Sequence, residues 1–387
     1  MILKRTFHPV GHGAFYAERF IDDENESVFT IVYDCGRYEG CKPGGMSPLG
    51  YKNWIEGYIK NSSGLTIGER INILFISHFH TDHINGIDYI LKNYDVGKII
   101  LPVITPLVVL DAISSTQEKS LIDDMLIFIN DLVSGKLSDK VCSVDIPNNH
   151  IYEETYNIDC TEKYFDSLKS INKATRLTYN RWYYKPFYFV DTQKEKQLEQ
   201  AFQIVFPHIF EKNELSLDKL LNEISVSGVD AFKKEYTNVF GKKHNSYSMT
   251  LFSGIACEKL CHKNCHIKIV EQTSNPEDIK NCELCRVNCL YMGDFIALGA
   301  RLKSIMLFYK QEWKNIGILQ VPHHGSEKNS NDDLYSDRER LCIISADSTD
   351  KYQHPDQPVL DAIIRNNSVP ILVSELPKTK QEYNINF

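Results

Sequence analysis

Long apolar runs are missing: no stretch of the 387 residues approaches the roughly 18 consecutive apolar positions that a membrane span requires. The opening MILKRTFHPVGHG lacks the apolar core of a secretory signal. These two absences make a cytoplasmic protein without a membrane partner the expectation. An excess of positive charge is missing too. Lys and Arg number 43 against 51 Asp and Glu, a formal charge of -8, which argues against whole-surface attraction to nucleic acid or anionic lipid. Any polyanion would need a local basic patch. There is no internal repeat and no low-complexity linker. With 42% apolar and 24% charged residues, the composition is that of an ordinary soluble domain with material for a sizeable core.

Cysteine is not scarce but is unevenly placed. Of 11 cysteines, six crowd into residues 257 to 289, while Cys35, Cys41, Cys142, Cys160 and Cys342 are scattered and read as small core residues or bystanders. In a reducing compartment such crowding suggests metal before disulfide.

Strand and helix signals alternate in the first hundred residues. AFYAERFI, VFTIVYDCG, INILFIS and VGKIILPVI read as strands, with YKNWIEGYIKN and INGIDYILKNY as helices between them. The last 140 residues repeat the texture through SYSMTLFSGI, CLYMGDFI, IGILQVPHHGS, LCIISAD and VPILVSEL. Strands of this kind, separated by helices, belong to an α/β domain whose sheets are covered by helices. The expected organisation is a first half over 1–110, an inserted cap over 111–243 and a second half over 244–387, with a Cys-rich insertion at 257–289.

The densest chemistry follows an apolar strand in ILFISHFHTDHINGIDYIL, residues 73–91. In an extended segment alternate residues point the same way, so His78 and His80 can grip one cation together. Asp82 and His83, displaced by the turn, can face a second. Imidazole and carboxylate suit zinc, manganese or iron. Four ligand-type residues in six positions are hard to explain as a polar surface turn.

SHFHTDHINGI resembles the signature of the metallo-β-lactamase superfamily, which implies a four-layer αββα sandwich with one or two metals at the sheet edges. IVYDCGR resembles that family's early strand, making Asp34 the support behind the metal ligands. YMGDF resembles the strand bearing the bridging carboxylate, here Asp294. VPHHGSEKNS and YQHP, with VGHGAFYAERF near the start, are similar to the branch of phosphorylcholine esterases and of the hydrolase domain of bacterial DNA-uptake channels. The resemblance covers about residues 5–105 and 245–375. It implies a metal ligand from the HHGS turn, with His323 taken as ligand and His324 as proton donor although the turn leaves the two open, and a role for His354 at the second metal or at the substrate. Many relatives carry one more histidine ligand before the bridging aspartate. His208 and His244 are the candidates here, and both are left out of the ligand set, because the favoured branch carries Asn and Ser in that region, matching Asn245 and Ser248.

The implied cofactors are two divalent ions, zinc or manganese, held by His78, His80, Asp82, His83, Asp294, His323 and His354. They would lower the pKa of water from near 16 towards about 7 and draw charge from the substrate. Asp82 would orient that water, and His324 or His354 would protonate the leaving group. The implied activity is phosphodiester hydrolysis, with nucleic acid as a candidate substrate. The alternatives are a thioester or lactone hydrolase, and a non-catalytic component of a larger complex. Lys163, Lys169, Lys173, Arg176, Arg181 and Lys185, interleaved with Tyr164, Phe165, Tyr179, Trp182, Tyr183 and Tyr184, could hold phosphates and stack on bases. The bland reading of the same stretch is a solvated face over core aromatics. In the cysteine cluster, Cys257, Cys261, Cys282 and Cys285 are the chosen ligands of a structural zinc, with Cys265 and Cys289 as substitutes. An iron-sulfur cluster is the alternative there. The cluster or the insertion could also serve a protein partner.

Overall fold

Period-two alternation in the strands divides their side chains between two environments. Ile31 and Tyr33 face one apolar cluster and Val32 another; Ile73 and Phe75 are likewise separated from Leu74 and Ile76. In the second half Ile318, Leu341 and Ile343 join the first of these clusters, while Leu319, Cys342 and Ile344 enter a third. Strands buried on both faces must lie between layers. The computed structural model, which describes residues 1–38, 46–116, 118–145, 156–172, 175–241, 247–255, 268–272, 287–348 and 353–386, shows two sheets pressed together with helices outside each.

The first sheet runs from edge to edge through Lys268–Gln272, Gln381–Asn386, Ile2–Phe7, Phe15–Ile21, Ser27–Cys35, Arg70–Phe75, Asp95–Pro102, Val141–Asp145 and Ser170–Asn172. The second runs through Val369–Val373, Leu341–Ser345, Ile316–Gln320, Asn288–Tyr291, Thr250–Ile255, Trp182–Phe187, Thr175–Tyr179 and Tyr156–Asp159. Helix Pro48–Ser62 covers the first sheet with Ile55 and Ile59, and helices Gly299–Phe308 and Gln357–Arg365 cover the second with Ile305 and Ile363. This is the mixed α/β architecture that the strand and helix alternation predicts. The strands at the two ends, Ile2–Phe7 and Gln381–Asn386, pair antiparallel. No helix among the described residues is long and apolar enough to cross a membrane.

Residues 111–243 do not stand apart as a cap. Val141–Asp145 and Ser170–Asn172 extend the first sheet in parallel, and Thr175–Tyr179 and Trp182–Phe187 extend the second. The helices Thr192–Val205, Leu217–Ser227 and Asp230–Phe240 form an added layer, packed through Leu198, Phe202, Phe232 and Tyr236.

This placement also decides the basic and aromatic stretch. Phe165, Trp182, Tyr183 and Tyr184 are buried, and Lys185 Nζ lies 3.2 Å and Arg176 Nη2 2.9 Å from the buried Glu312 carboxylate. Tyr179, Trp182, Tyr183 and Tyr184 are strand residues packed inside, and Phe165 is buried from the short helix Lys163–Ser167, so these five form no stacking face. The bland reading holds for them, and Tyr164 alone among those named is strongly exposed. Lys173 lies outside the described residues.

Candidate metal centre

Parallel strands collect their following loops at one edge, and ligands bind outside such carboxyl ends. Asp34 ends Ser27–Cys35, and His78 to His83 follow Arg70–Phe75. From the second sheet, Asp294 follows Asn288–Tyr291, His323 and His324 follow Ile316–Gln320, and His354 follows Leu341–Ser345. Residues more than two hundred positions apart therefore meet because two sheets share one open edge.

Asp294 is the meeting point. Its Oδ1 lies 3.1 Å from His83 Nε2 and 3.8 Å from His324 Nε2, while Oδ2 lies 3.7 Å from His78 Nε2. Asp82 Oδ2 is 3.1 Å from His324 Nε2 and 3.7 Å from His83 Nε2. Two groups with ligand-like spacing result: Asp82, His83, Asp294 and His324, and then His78, His80 and Asp294. One carboxylate is common to both.

The rings are oriented from behind. Ser77 Oγ donates to Asp34 Oδ2 at 2.6 Å, so it accepts from His78 Nδ1 at 2.8 Å and leaves Nε2 as the bare nitrogen. His83 Nδ1 donates to the same Asp34 oxygen at 2.7 Å, and His324 Nδ1 donates to the Ser345 carbonyl at 2.8 Å. Three imidazoles are thereby fixed with Nε2 inward, as ligands of a cation must be. The Nε2 atoms of His78 and His80 are buried with no hydrogen-bond partner among the described residues, which is costly unless something else occupies that space. The donor set fits a divalent metal pair.

Backbone strain is concentrated here. Asp34, His323 and His324 have φ values of 54°, 48° and 56°, each worth about 1–3 kcal/mol for a non-glycine residue. Packing enforces it: His323 N–H donates to the Gly293 carbonyl at 3.0 Å, and Gln320 Oε1 accepts from Met292 and Gly293 at 2.6 Å each. Gln320 thus ties the aspartate turn to the histidine turn. Asp294 N–H donates to Ser248 Oγ at 3.0 Å. Gly36 is required by closeness, since a Cβ there would lie 2.5 Å from the backbone of Asp82.

Electrostatics follow from the crowding. Burial opposes ionisation of Asp82 and Asp294, but His83 and His324 beside the first, and His323 and His83 beside the second, hold both well below the ordinary carboxylate range. Burial alone would neutralise His83; Asp294, Asp82 and Asp34 outweigh it and push the imidazole well above 6.5. Burial, with His83 and His80, lowers His78 to about 4.

The arrangement gives the remaining named residues distinct places. His324 lies inside a ligand group, whereas His323 sits at its border, with Nδ1 3.7 Å from Asp294 Oδ2. The backbone turn aims the second imidazole of the pair towards Asp82. His354 stands outside both groups, its ring 6.3 Å from that of His323 and its Nδ1 3.4 Å from Asp356 Oδ1. His208 is at the surface, 3.2 Å from Glu223, and His244 and Asn245 lie outside the described residues. So do Cys257, Cys261, Cys265, Cys282 and Cys285; Cys289 is a buried residue of the core between the sheets. The sequence reading passed over His12, whose ring lies 3.8 Å from that of His324 and tilted to it, and Arg37, whose guanidinium lies 4.2 Å over Trp54 and 3.1 Å from Asp347. It also missed Asp111, whose Oδ2 is 3.6 Å from His80 Nε2. His12 had one signal, its place in the glycine-flanked HPVGHG.

Residues 66–119 match the family model of the metallo-beta-lactamase superfamily. The matched stretch carries His78, His80, Asp82, His83 and Asp111; Asp294, His324 and the other partners lie beyond it and join it through the fold. A search of curated proteins finds no match. The metallo-beta-lactamase match, with two large mixed sheets and His/Asp groups at their edge, implies a metal-dependent hydrolase.

Proposed function

We propose that the protein hydrolyses phosphodiesters with a pair of divalent metal ions. The observation that carries this reading is Asp294, whose two oxygens face two different sets of ligand atoms. A bound pair would lower the pKa of a water molecule towards about 7 and draw charge from a phosphoryl oxygen. Everything else falls to the chain.

His78 and His80 would hold one ion and Asp82, His83 and His324 the other, with Asp294 common to both groups. Asp34 keeps His83 in the right tautomer and, through Ser77, His78 as well. The imidazoles of His12 and His354 lie beside those of His324 and His323 and can hold an anionic oxygen. His354, beside Asp356, would protonate the leaving oxygen. A nucleic-acid substrate draws no support from the buried aromatic stretch.

The test is a panel of bis(p-nitrophenyl) phosphate, single- and double-stranded DNA, RNA and a thioester, assayed with zinc or manganese and after chelation. Phosphodiester turnover that needs metal and disappears in Asp294→Ala is the expected result. Turnover of the thioester alone, or of nothing, would overturn it.

A further inference from the structure

The two ligand groups are unequal: one has four members and the other only His78, His80 and the shared Asp294. The atom that looks out from the smaller group is His80 Nε2, buried and without a hydrogen-bond partner among the described residues. Opposite it, at 3.6 Å, is Oδ2 of Asp111. That carboxylate sits on the helix Pro106–Ser115, whose other buried residues, among them Leu107, Val108, Leu110 and Ile113, are apolar. An acid on such a face needs partners. The Tyr236 hydroxyl, from the helix Asp230–Phe240, donates to Asp111 Oδ1, and Arg301 lies within electrostatic reach. Oδ1 is thus held by Tyr236 while Oδ2 faces the histidine. Two ligands of one ion, each about 2.1 Å from it, stand roughly 3–3.5 Å apart, close to the separation observed.

We propose that Asp111 is the fourth protein ligand of the metal held by His78, His80 and Asp294, with Tyr236 as its positioning residue. The inference rests on the reading of this edge as a metal centre. It makes the site one of two imidazoles and two carboxylates, a harder donor set than three imidazoles, and so better matched to manganese or iron relative to zinc. It also gives the added helical layer a task, because Asp230–Phe240 supplies the residue that aims Asp111.

The experiment uses the full chain, stripped of metal and titrated calorimetrically with Zn(II), Mn(II) and Co(II), the last also followed by its visible absorption. Wild type is expected to take two ions. Asp111→Asn should keep one and bind the other about 10- to 100-fold more weakly, with an altered Co(II) spectrum. Tyr236→Phe should lie between them. Asp111→His should restore zinc binding and lower the manganese-to-zinc affinity ratio at that site about tenfold. Melting of the metal-free variants checks their folding, and if Asp111→Asn fails to fold, Asp111→His and Tyr236→Phe carry the test. Two ions bound with unchanged affinity and spectrum in Asp111→Asn, or an unchanged ratio in Asp111→His, would overturn the assignment of Asp111 alone. A wild type that binds no metal would overturn the metal centre itself.

Discussion

Asp34 is the root from which both halves of the centre are oriented, and replacing it with asparagine tests that directly. The residue is fully buried at φ 54°, a left-handed conformation that asparagine tolerates, so the backbone has no reason to move. Its Oδ1 accepts from Ser77 N–H at 2.7 Å, a bond the amide oxygen can keep. The NH2 group would then confront two donors, His83 Nδ1–H and the Ser77 hydroxyl. His83 loses a hydrogen bond to a charged acceptor, worth about 1.5–3 kcal/mol, which is roughly a 10- to 150-fold loss of metal affinity at the group containing His83. Ser77 can turn to accept from the new amide, but it then donates to His78 Nδ1 and moves the proton of that ring onto Nε2, the atom needed inward. Both ions should therefore bind more weakly in Asp34→Asn, whereas Ser77→Ala, which leaves the bond from His83 to Asp34 in place, should weaken only the ion at His78 and His80. Competition titrations with a metallochromic chelator read the two steps. Unchanged affinity in Asp34→Asn, or a larger loss at the His83 group in Ser77→Ala, would refute the chain of hydrogen bonds as the orienting device.

Gly293 stands at φ 52° with Ser248 Oγ and Ser77 Oγ within 2.7 and 2.9 Å of where a Cβ would be. Gly293→Ala should cost about 2–4 kcal/mol from the left-handed backbone and overpacking together, visible as a fall in the urea midpoint, and an unchanged midpoint would count against it. His83, which burial alone would neutralise, is held protonated well above pH 6.5 by Asp294, Asp82 and Asp34 in the metal-free protein. That proton stabilises the metal-free fold fully below about pH 6.5, and the contribution is lost as pH rises through the folded value. Metal must expel it, so apparent affinity should rise from pH 6 to 8 with proton release detectable by calorimetry in buffers of different ionisation heat; an affinity independent of pH would exclude this role. Between the sheets, Glu18 accepts from Arg5 at 2.6 Å, and from Tyr184 and Tyr291 at 2.9 and 2.8 Å. Glu18→Gln strands a buried guanidinium and should lose about 3–5 kcal/mol of stability without altering the number of ions bound, and a loss below 1 kcal/mol would show the pair to be dispensable.

What could be read in advance was whatever had short-range grammar. INILFIS alternates for two faces, and SHFHTDHINGI packs four ligand-type residues into six positions, so the strand, its turn and the chemistry of the turn were all local. The middle of the chain had no such grammar. Lys185 belongs to a stretch that read as a holder of phosphates and bases or as a solvated face over core aromatics, yet it is buried against a carboxylate more than a hundred residues away. A charge whose partner is that remote looks solvated in one dimension and is internal in three. The same holds for Ile2–Phe7, which contains Lys4 and Arg5 and lies inside the sheet because Glu18 and Glu382 answer them.

The site divides along the same line. His78, His80, Asp82 and His83 are neighbours in sequence, and a neighbour's identity is evidence about its function. Asp111 had no such company, for in PLVVLDAISS it is one acid on an apolar helix face, and a helix period gives no reason for it. Only the meeting with His80 Nε2 and Tyr236, elements separated by about 30 and 125 positions, turns that irregularity into a ligand candidate. The choice between His323 and His324 was equally beyond the motif. It depends on two consecutive left-handed residues, which reverse the chain so that the second ring, not the first, turns towards Asp82. A polar residue that breaks an otherwise apolar face is thus better evidence of function than its isolation in the sequence suggests, because burying it without a partner would be costly and the partner is what the site is made of.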